Sequence, residues 1–197
     1  PNEKKYHLTL RPFQMTRKAV DRLSINTVAT PFIHTLWQRW GESTYLGILK
    51  DDKVLYIQHF DSTKDLKVAG ALGGMYDLYC SAPGKVLLAY SDEEYIEDYI
   101  HRDHPRRTDK TLTTPEELRN ELGIIRKNGY AIDNEEFSCG ILCVAAPVFD
   151  GCNKVIGTIG CSFPTVNCTV ETILDKCGKD IVSTAQEISK CCGMMCE

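Results

Sequence analysis

The sequence predicts an α+β fold, an antiparallel sheet flanked by helices, on three observations. Helical and strand-like patterns run in the order helix, strands, helices, strands, helix, rather than in strict alternation. Turn residues, Asp51-Asp52 and Asp150-Gly151, separate neighbouring strand-like runs, as hairpins require. Gly70, Gly73 and Gly74 do not follow a strand in the spacing of a dinucleotide-binding loop, and no P-loop sequence is present, so a doubly wound parallel sheet has no support.

The elements follow in order. From Arg17 to Gly41 the apolar residues Val20, Leu23, Val28, Phe32, Leu36 and Trp40 recur at near-helical spacing, and Pro31 predicts a break, with two helices meeting near Thr30. The runs 42–50 and 53–60 predict a hairpin, and a third strand over 65–70 continues the meander. Ser81 as N-cap with Pro83 in the first turn opens a helix through Val86-Leu87-Leu88-Ala89. Ser91-Asp92-Glu93-Glu94 reads as a capping box for the next helix, and Thr114-Pro115-Glu116-Glu117 opens another that ends at Gly129. Strands over 130–133, 139–148 and 154–163 and a helix from Val170 to Cys191 complete the domain. That domain is expected over 17–197; residues 1–16, with the strand-like Tyr6-His7-Leu8-Thr9-Leu10, stand apart from it.

Composition narrows the function. The 197 residues are 43% apolar without low-complexity tracts, which fits one folded α/β unit. No apolar run reaches the roughly 20 residues of a membrane span and no signal peptide opens the chain, so a cytoplasmic location is expected. A net charge of −4 repels a phosphate backbone. The one basic stretch, His101 to Lys110 with Arg102, Arg106 and Arg107, lacks interleaved aromatics and reads as a solvated loop. Ten cysteines without a secretion signal or a C-x-x-C pair read as reduced thiols. Cys139 and Cys143 are expected on one face of a strand, and Cys191, Cys192 and Cys196 in a frayed tail.

Catalytic and metal motifs are weak. No G-x-S-x-G elbow or H-E-x-x-H pair occurs, and neither a metal nor a cofactor is expected. His101 and His104 around Asp103 read as a polar loop, and Asp133-Asn134-Glu135-Glu136 as a solvated turn with a general base as the alternative. A ligand pocket has better support. The helix start at Ser81 would expose amides and the positive end of a dipole to a carboxylate. Along 154–163, Thr158, Gly160 and Ser162 share one face and Ile159, Cys161 and Phe163 the other; Cys139, Ile141, Cys143 and Ala145 share a face of the preceding strand. Two small-residue faces leave room either for a ligand or for close helix packing.

Cys80-Ser81-Ala82-Pro83-Gly84-Lys85-Val86-Leu87-Leu88-Ala89 resembles the S-A-x-G-K-A-L-L-A segment of IclR-type bacterial transcriptional regulators. The stretch from Asn128-Gly129-Tyr130-Ala131 through Asp133-Asn134-Glu135-Glu136 to Gly140-Ile141-Leu142-Cys143-Val144-Ala145-Ala146-Pro147-Val148-Phe149-Asp150 is similar to the same family, and the likeness covers about 17–192. It implies a GAF-like or profilin-like effector-binding domain, homodimers or tetramers, and a small organic acid or sugar acid as effector. Residues 1–16 would be the remnant of a wing and interdomain linker, with DNA bound only through a winged helix-turn-helix domain absent here. The apolar stretch from Val28 to Trp40, including Trp37, fits an oligomer contact. The positions matching the family's pocket are Ala82, Pro83, Gly84, Asp133, Ile141, Cys143, Gly160 and Ser162. Amides around Ala82 and Gly84 would hold a carboxylate, Asp133 a ligand hydroxyl, Ser162 would donate or accept, and Ile141 and Cys143 would wall the site. Pro83, without an N–H, and Gly160, without a hydroxyl, depart from relatives. Two alternatives stand beside this sensor: a GAF-like cysteine-dependent enzyme such as a free methionine sulfoxide reductase, with Cys143 or Cys139 as nucleophile, and a pure oligomerisation module.

Overall fold

The structure is a computed structural model that describes residues 24–193, so the expectations for 1–23 and for Cys196 lie outside the described residues. A six-stranded antiparallel sheet in the order β3-β2-β1-β6-β5-β4 forms its centre. Its strands are β1 Ser43–Lys50, β2 Lys53–Phe60, β3 Met75–Asp77, β4 Ala131–Asn134, β5 Ile141–Phe149 and β6 Val155–Pro164. The helices are α1 Ser24–Trp40, α2 Ala82–Ala89, α3 Glu93–Ile100, α4 Pro115–Asn128, α5 Val170–Ile173 and α6 Lys179–Gly193.

α1 is one helix, not two. Pro31 sits inside it, with its exposed ring turned to solvent, while Ile25, Ala29, Ile33 and Leu36 form an uninterrupted buried stripe. Burying four such side chains at about 1.5–3 kcal/mol for each large one exceeds the roughly 3 kcal/mol cost of an interior proline. Thr30 and Thr35 hydroxyls donate to the carbonyls of Asn26 and Pro31 around the interruption. Gly41, at φ +62°, closes the helix by donating to the Trp37 carbonyl.

The β1–β2 hairpin forms as expected, because Asp51 and Asp52 both take positive φ, the conformation of the two-residue turn that matches strand twist. The third strand is displaced: residues 61–74 make no strand, and β3 at 75–77 pairs with β2 instead. The reason lies in side-chain bonding. Ser62 Oγ donates to the Gly41 carbonyl and Ser43 Oγ to the Val68 carbonyl, which ties 61–74 back as a strap across the end of β1.

Ser81 caps α2 by accepting from Gly84 N at 3.2 Å. The capping box expected at Ser91–Glu94 does not form: Asp92 is the N-cap of α3 without a side-chain bond, and Ser91 Oγ donates back to the Leu87 carbonyl. The box at Thr114 and Glu117 does form, and Gly129 at φ +78° ends α4. The C-terminal helical stretch contains one widened turn, a π-helical segment over Leu174–Gly178 between α5 and α6.

Alternation along the strands separates two cores. Ile159, Cys161 and Phe163 of β6 and Leu142, Val144 and Ala146 of β5 join Ile25, Ile33 and Leu36 of α1 and Ile173, Ile181 and Ile188 of the C-terminal helices. Cys143, Ala145 and Tyr45 face the other way, with Leu78, Val86, Leu87, Ile96, Leu118 and Ile125 from around α2, α3 and α4.

Candidate functional site

The second core contains polar chemistry that the first lacks. Of the site residues expected from sequence, Pro83, Asp133, Ile141, Cys143 and Ser162 come together around a cavity of about 50 Å³. Tyr45, Tyr56, Tyr76, His59 and Phe137 complete much of the wall, and Val68 to Gly70 of the strap close it. By the guide of ~10–15 Å³ per water, this volume holds three or four waters or a ligand of similar size. Larger surface grooves, such as one of about 460 Å³ beside Ile25, Leu87 and Tyr95, bring no comparable set of buried polar groups together.

Ala82, Gly84 and Gly160 lie off the cavity wall. Ala82 is fully buried. Gly84 permits close packing of the helix start, since a Cβ there would fall 2.5 Å from Leu78 Cα. Its N–H is already engaged by Ser81 Oγ, so the amide expected to grip a carboxylate is occupied. Gly160 has the same steric role on β6: a Cβ would fall 2.5 Å from Tyr45 Oη, so its bareness admits the tyrosine. Tyr45 stacks on Tyr56 with ring centres 4.5 Å apart, and Tyr56 in turn lies 4.3 Å from Tyr76.

Asp133 sits at the heart of the site. The expectation of a solvated acidic turn fails here, because Asp133 and Glu136 are both buried while Asn134 alone of the four is fully exposed. Glu135 takes φ +62°, which turns the chain so that the N–H groups of Glu136 and Phe137 both donate to Asp133 Oδ1, at 2.7 and 3.2 Å. No described residue donates to Oδ2. Burial, with the nearby Glu136 carboxyl, pushes the Asp133 carboxyl up to about 7.

Behind it lies a group the sequence reading missed. Lys85 of α2 is 1% exposed, and its Nζ donates to Glu136 Oε1 at 2.6 Å, Glu121 Oε1 at 2.7 Å and the Ile132 carbonyl at 2.7 Å. Burial opposes its charge, but Glu136 and Glu121 outweigh that and hold the ammonium above the usual lysine range. Burial raises the Glu136 carboxyl despite Lys85, and its Oε2 is buried without a partner.

The basic loop is not simply solvated. His104 is buried between the rings of Tyr79 and Tyr99, and Thr108 and Thr111 hydroxyls donate to the carbonyls of Glu135 and Glu136. Arg107 pairs with Asp77, donates to the Phe137 carbonyl and lies over the Phe137 ring at 4.0 Å. The loop therefore clamps the turn that presents Asp133.

The thiols show little nucleophilic character. Cys143 Sγ lies 3.1 Å from Ser162 Oγ, and burial pushes its thiol well up, which favours the uncharged form. Cys139 is not on the strand with Cys143; β5 begins at Ile141, and Cys139 lies exposed in the preceding turn.

Residues 17–190 match the family described as bacterial transcriptional regulator IclR, C-terminal. The chain is 34% identical over 170 residues to the HTH-type transcriptional regulator KdgR of Escherichia coli K12, covering 86% of the chain and 65%, just under two thirds, of that regulator. The solved C-terminal domain of the E. coli regulator KdgR superposes with a TM-score of 0.77 at 32% identity, over 86% of this chain and 98% of that one. An IclR homolog from Microbacterium hydrocarbonoxydans, solved in complex with 4-hydroxybenzoate, shares the fold at TM-score 0.81 and 23% identity, over 93% and 74% of the two chains.

Proposed function

We propose, from the premise that this chain belongs to the IclR family of bacterial transcriptional regulators through their C-terminal domain, that it senses a small organic acid and transmits its presence to an N-terminal DNA-binding domain. The observation that carries this reading is the cavity between the strap and β4–β6, where Asp133, Ser162 and Cys143 converge among aromatic rings. A few convergent polar groups in an otherwise apolar hollow are what ligand recognition requires. The 4-hydroxybenzoate complex of the M. hydrocarbonoxydans homolog supports a small-molecule role for the shared fold.

In this reading Asp133 and Ser162 hydrogen-bond the effector, Ile141, Cys143 and Pro83 wall it, and Ala82, Gly84 and Gly160 shape the site from behind. The volume of about 50 Å³ suits the smallest acids, of two or three carbons; a larger acid or a sugar acid requires the strap over 61–74 to move outward. The effector shifts the balance between homo-oligomeric arrangements that space the DNA-binding domains differently. Catalysis by Cys143 is disfavoured by its buried, uncharged thiol.

Thermal-shift screening of organic acids tests this reading. A ligand at 100 times its dissociation constant stabilises by about 2.7 kcal/mol and raises Tm by several degrees. A screen in which no small acid shifts the melting of the wild-type chain refutes it.

A further inference from the structure

We propose that the cavity takes up its anionic effector together with one proton, carried on Asp133, so that affinity falls as pH rises through neutrality. This rests on the reading of the cavity as the effector site.

The first support is that no positive charge faces an anion there. None of the described residues lining the cavity is a lysine or an arginine. Burial lowers the His59 imidazole, keeping it uncharged near neutrality. The three donors of Lys85 are taken by Glu121, Glu136 and the Ile132 carbonyl, and Arg107 is engaged by Asp77 and the Phe137 carbonyl. The start of α2 offers little, because the Gly84 and Lys85 N–H groups are bonded within the turn and Pro83 has none.

The second support is the charge count around Lys85. Three carboxyl groups, Asp133, Glu136 and Glu121, share one ammonium, and the ammonium contacts only the two glutamates. Asp133 is left with two backbone N–H groups on one oxygen and no partner among the described residues on the other. The remaining titratable groups facing it are Tyr45 of β1, Tyr56 of β2, Cys80 before α2 and Cys143 of β5. Burial raises all four, so they are neutral and cannot compensate it.

A ligand carboxylate beside an ionised Asp133 meets a like charge in a buried site. Beside a protonated Asp133 it meets a donor, Oδ2–H, and forms a charge-assisted hydrogen bond. By linkage the anion holds the proton as strongly as the proton holds the anion. Above the titration of Asp133 at about 7, affinity for the anion then drops about tenfold per pH unit.

Calorimetry with pyruvate, lactate and gluconate, each beside its neutral amide, between about pH 6 and 9 tests the proposal. The expected result is that an acid outbinds its amide, that its Kd rises about tenfold per unit above pH 7, and that buffers of different ionisation enthalpy report uptake of about one proton at pH 8. Asp133→Asn keeps an oxygen for the Glu136 and Phe137 amides, so it folds, binds the acid without pH dependence and outbinds the wild type at pH 8. Glu136→Gln keeps the tenfold slope but begins it at lower pH, because the Glu136 carboxyl helps hold Asp133 up.

Flat acid affinity across this range in the wild type, or a slope that survives Asp133→Asn, overturns proton coupling and leaves the sensor reading standing. Binding of an amide alone, or of no probe at all, overturns the anionic effector and this proposal with it. Should Asp133→Asn fail to fold, the proton uptake of the wild type in paired buffers still decides.

Discussion

The two faces of the central sheet are built from the same strands and carry opposite chemistry. On the α1–α6 face, β5 and β6 offer Leu142, Val144, Ile159 and Phe163, all buried among aliphatic neighbours. One residue along each strand, the other face offers Cys143, Ala145, Gly160 and Ser162, against tyrosines, a buried lysine and buried carboxyls. The comparison teaches that a single alternating pattern can make one side of a sheet a scaffold and the other a receptor. The scaffold face gains stability mostly from apolar burial, around a few buried polar groups such as Asn26 and Thr44. The receptor face keeps small side chains and leaves a void, which forgoes packing and depends on its hydrogen bonds being complete.

If that division holds, the largest loss of stability should come from the polar face, at its buried lysine. Lys85→Met leaves Glu136 and Glu121 without compensation in a buried site and should cost about 3–5 kcal/mol in urea unfolding. A loss below about 1 kcal/mol would mean the two glutamates simply protonate, and the polar core is then softer than its geometry implies. On the scaffold face, Ile159→Ala removes a fully buried side chain and should cost about 2–4 kcal/mol by the same measurement, with ligand affinity unchanged in calorimetry. The smallest effect on folding is expected at Ser162→Ala, within about 1 kcal/mol. The same change should weaken effector binding about 5- to 150-fold, because a buried hydrogen bond of about 1–3 kcal/mol is lost. A Ser162→Ala variant that unfolds easily yet binds normally would reverse the roles assigned to the two faces.

The scaffold face was also the more legible one. Period-two alternation in 154–163 gave the correct faces, since apolar burial is written directly into spacing. In α1, by contrast, the expected stripe of Val28, Phe32, Leu36 and Trp40 lies to one side of the buried Ile25, Ala29, Ile33 and Leu36. Where the reading failed, the cause was a bond that spacing does not encode. Pro31 argued for a break that the buried stripe overrode, and the serine bonds of the strap displaced the third strand. Part of the site was visible, as Pro83, Asp133, Ile141, Cys143 and Ser162. The stacked tyrosines were not, because they arrive from β1, β2 and β3, far away in sequence. Lys85 did leave a signal: it is the single charged residue in the otherwise apolar APGKVLLA of α2. A lysine in a helix buried on every side needs acids, and the run 133–136 supplies one.

The widened turn at Leu174–Gly178 gives the chain an adjustable length at one point. The buried positions Ile173, Cys177, Ile181, Ala185 and Ile188 advance in steps of four, four, four and three. Eight residues from Ile173 to Ile181 overshoot two regular α-helical turns by about 80°, and the wider turn absorbs that excess so that both face the sheet. Deleting exposed Asp175 would shorten the step from Ile173 to Ile181 to seven residues, close to two ordinary turns, so the helix closes without rotating its buried side. No such slack exists in β5 or β6, where gaining or losing one residue exchanges the receptor side for the scaffold side along the rest of the strand. A single-residue deletion should therefore survive at this widened turn and be eliminated from the strands beneath it.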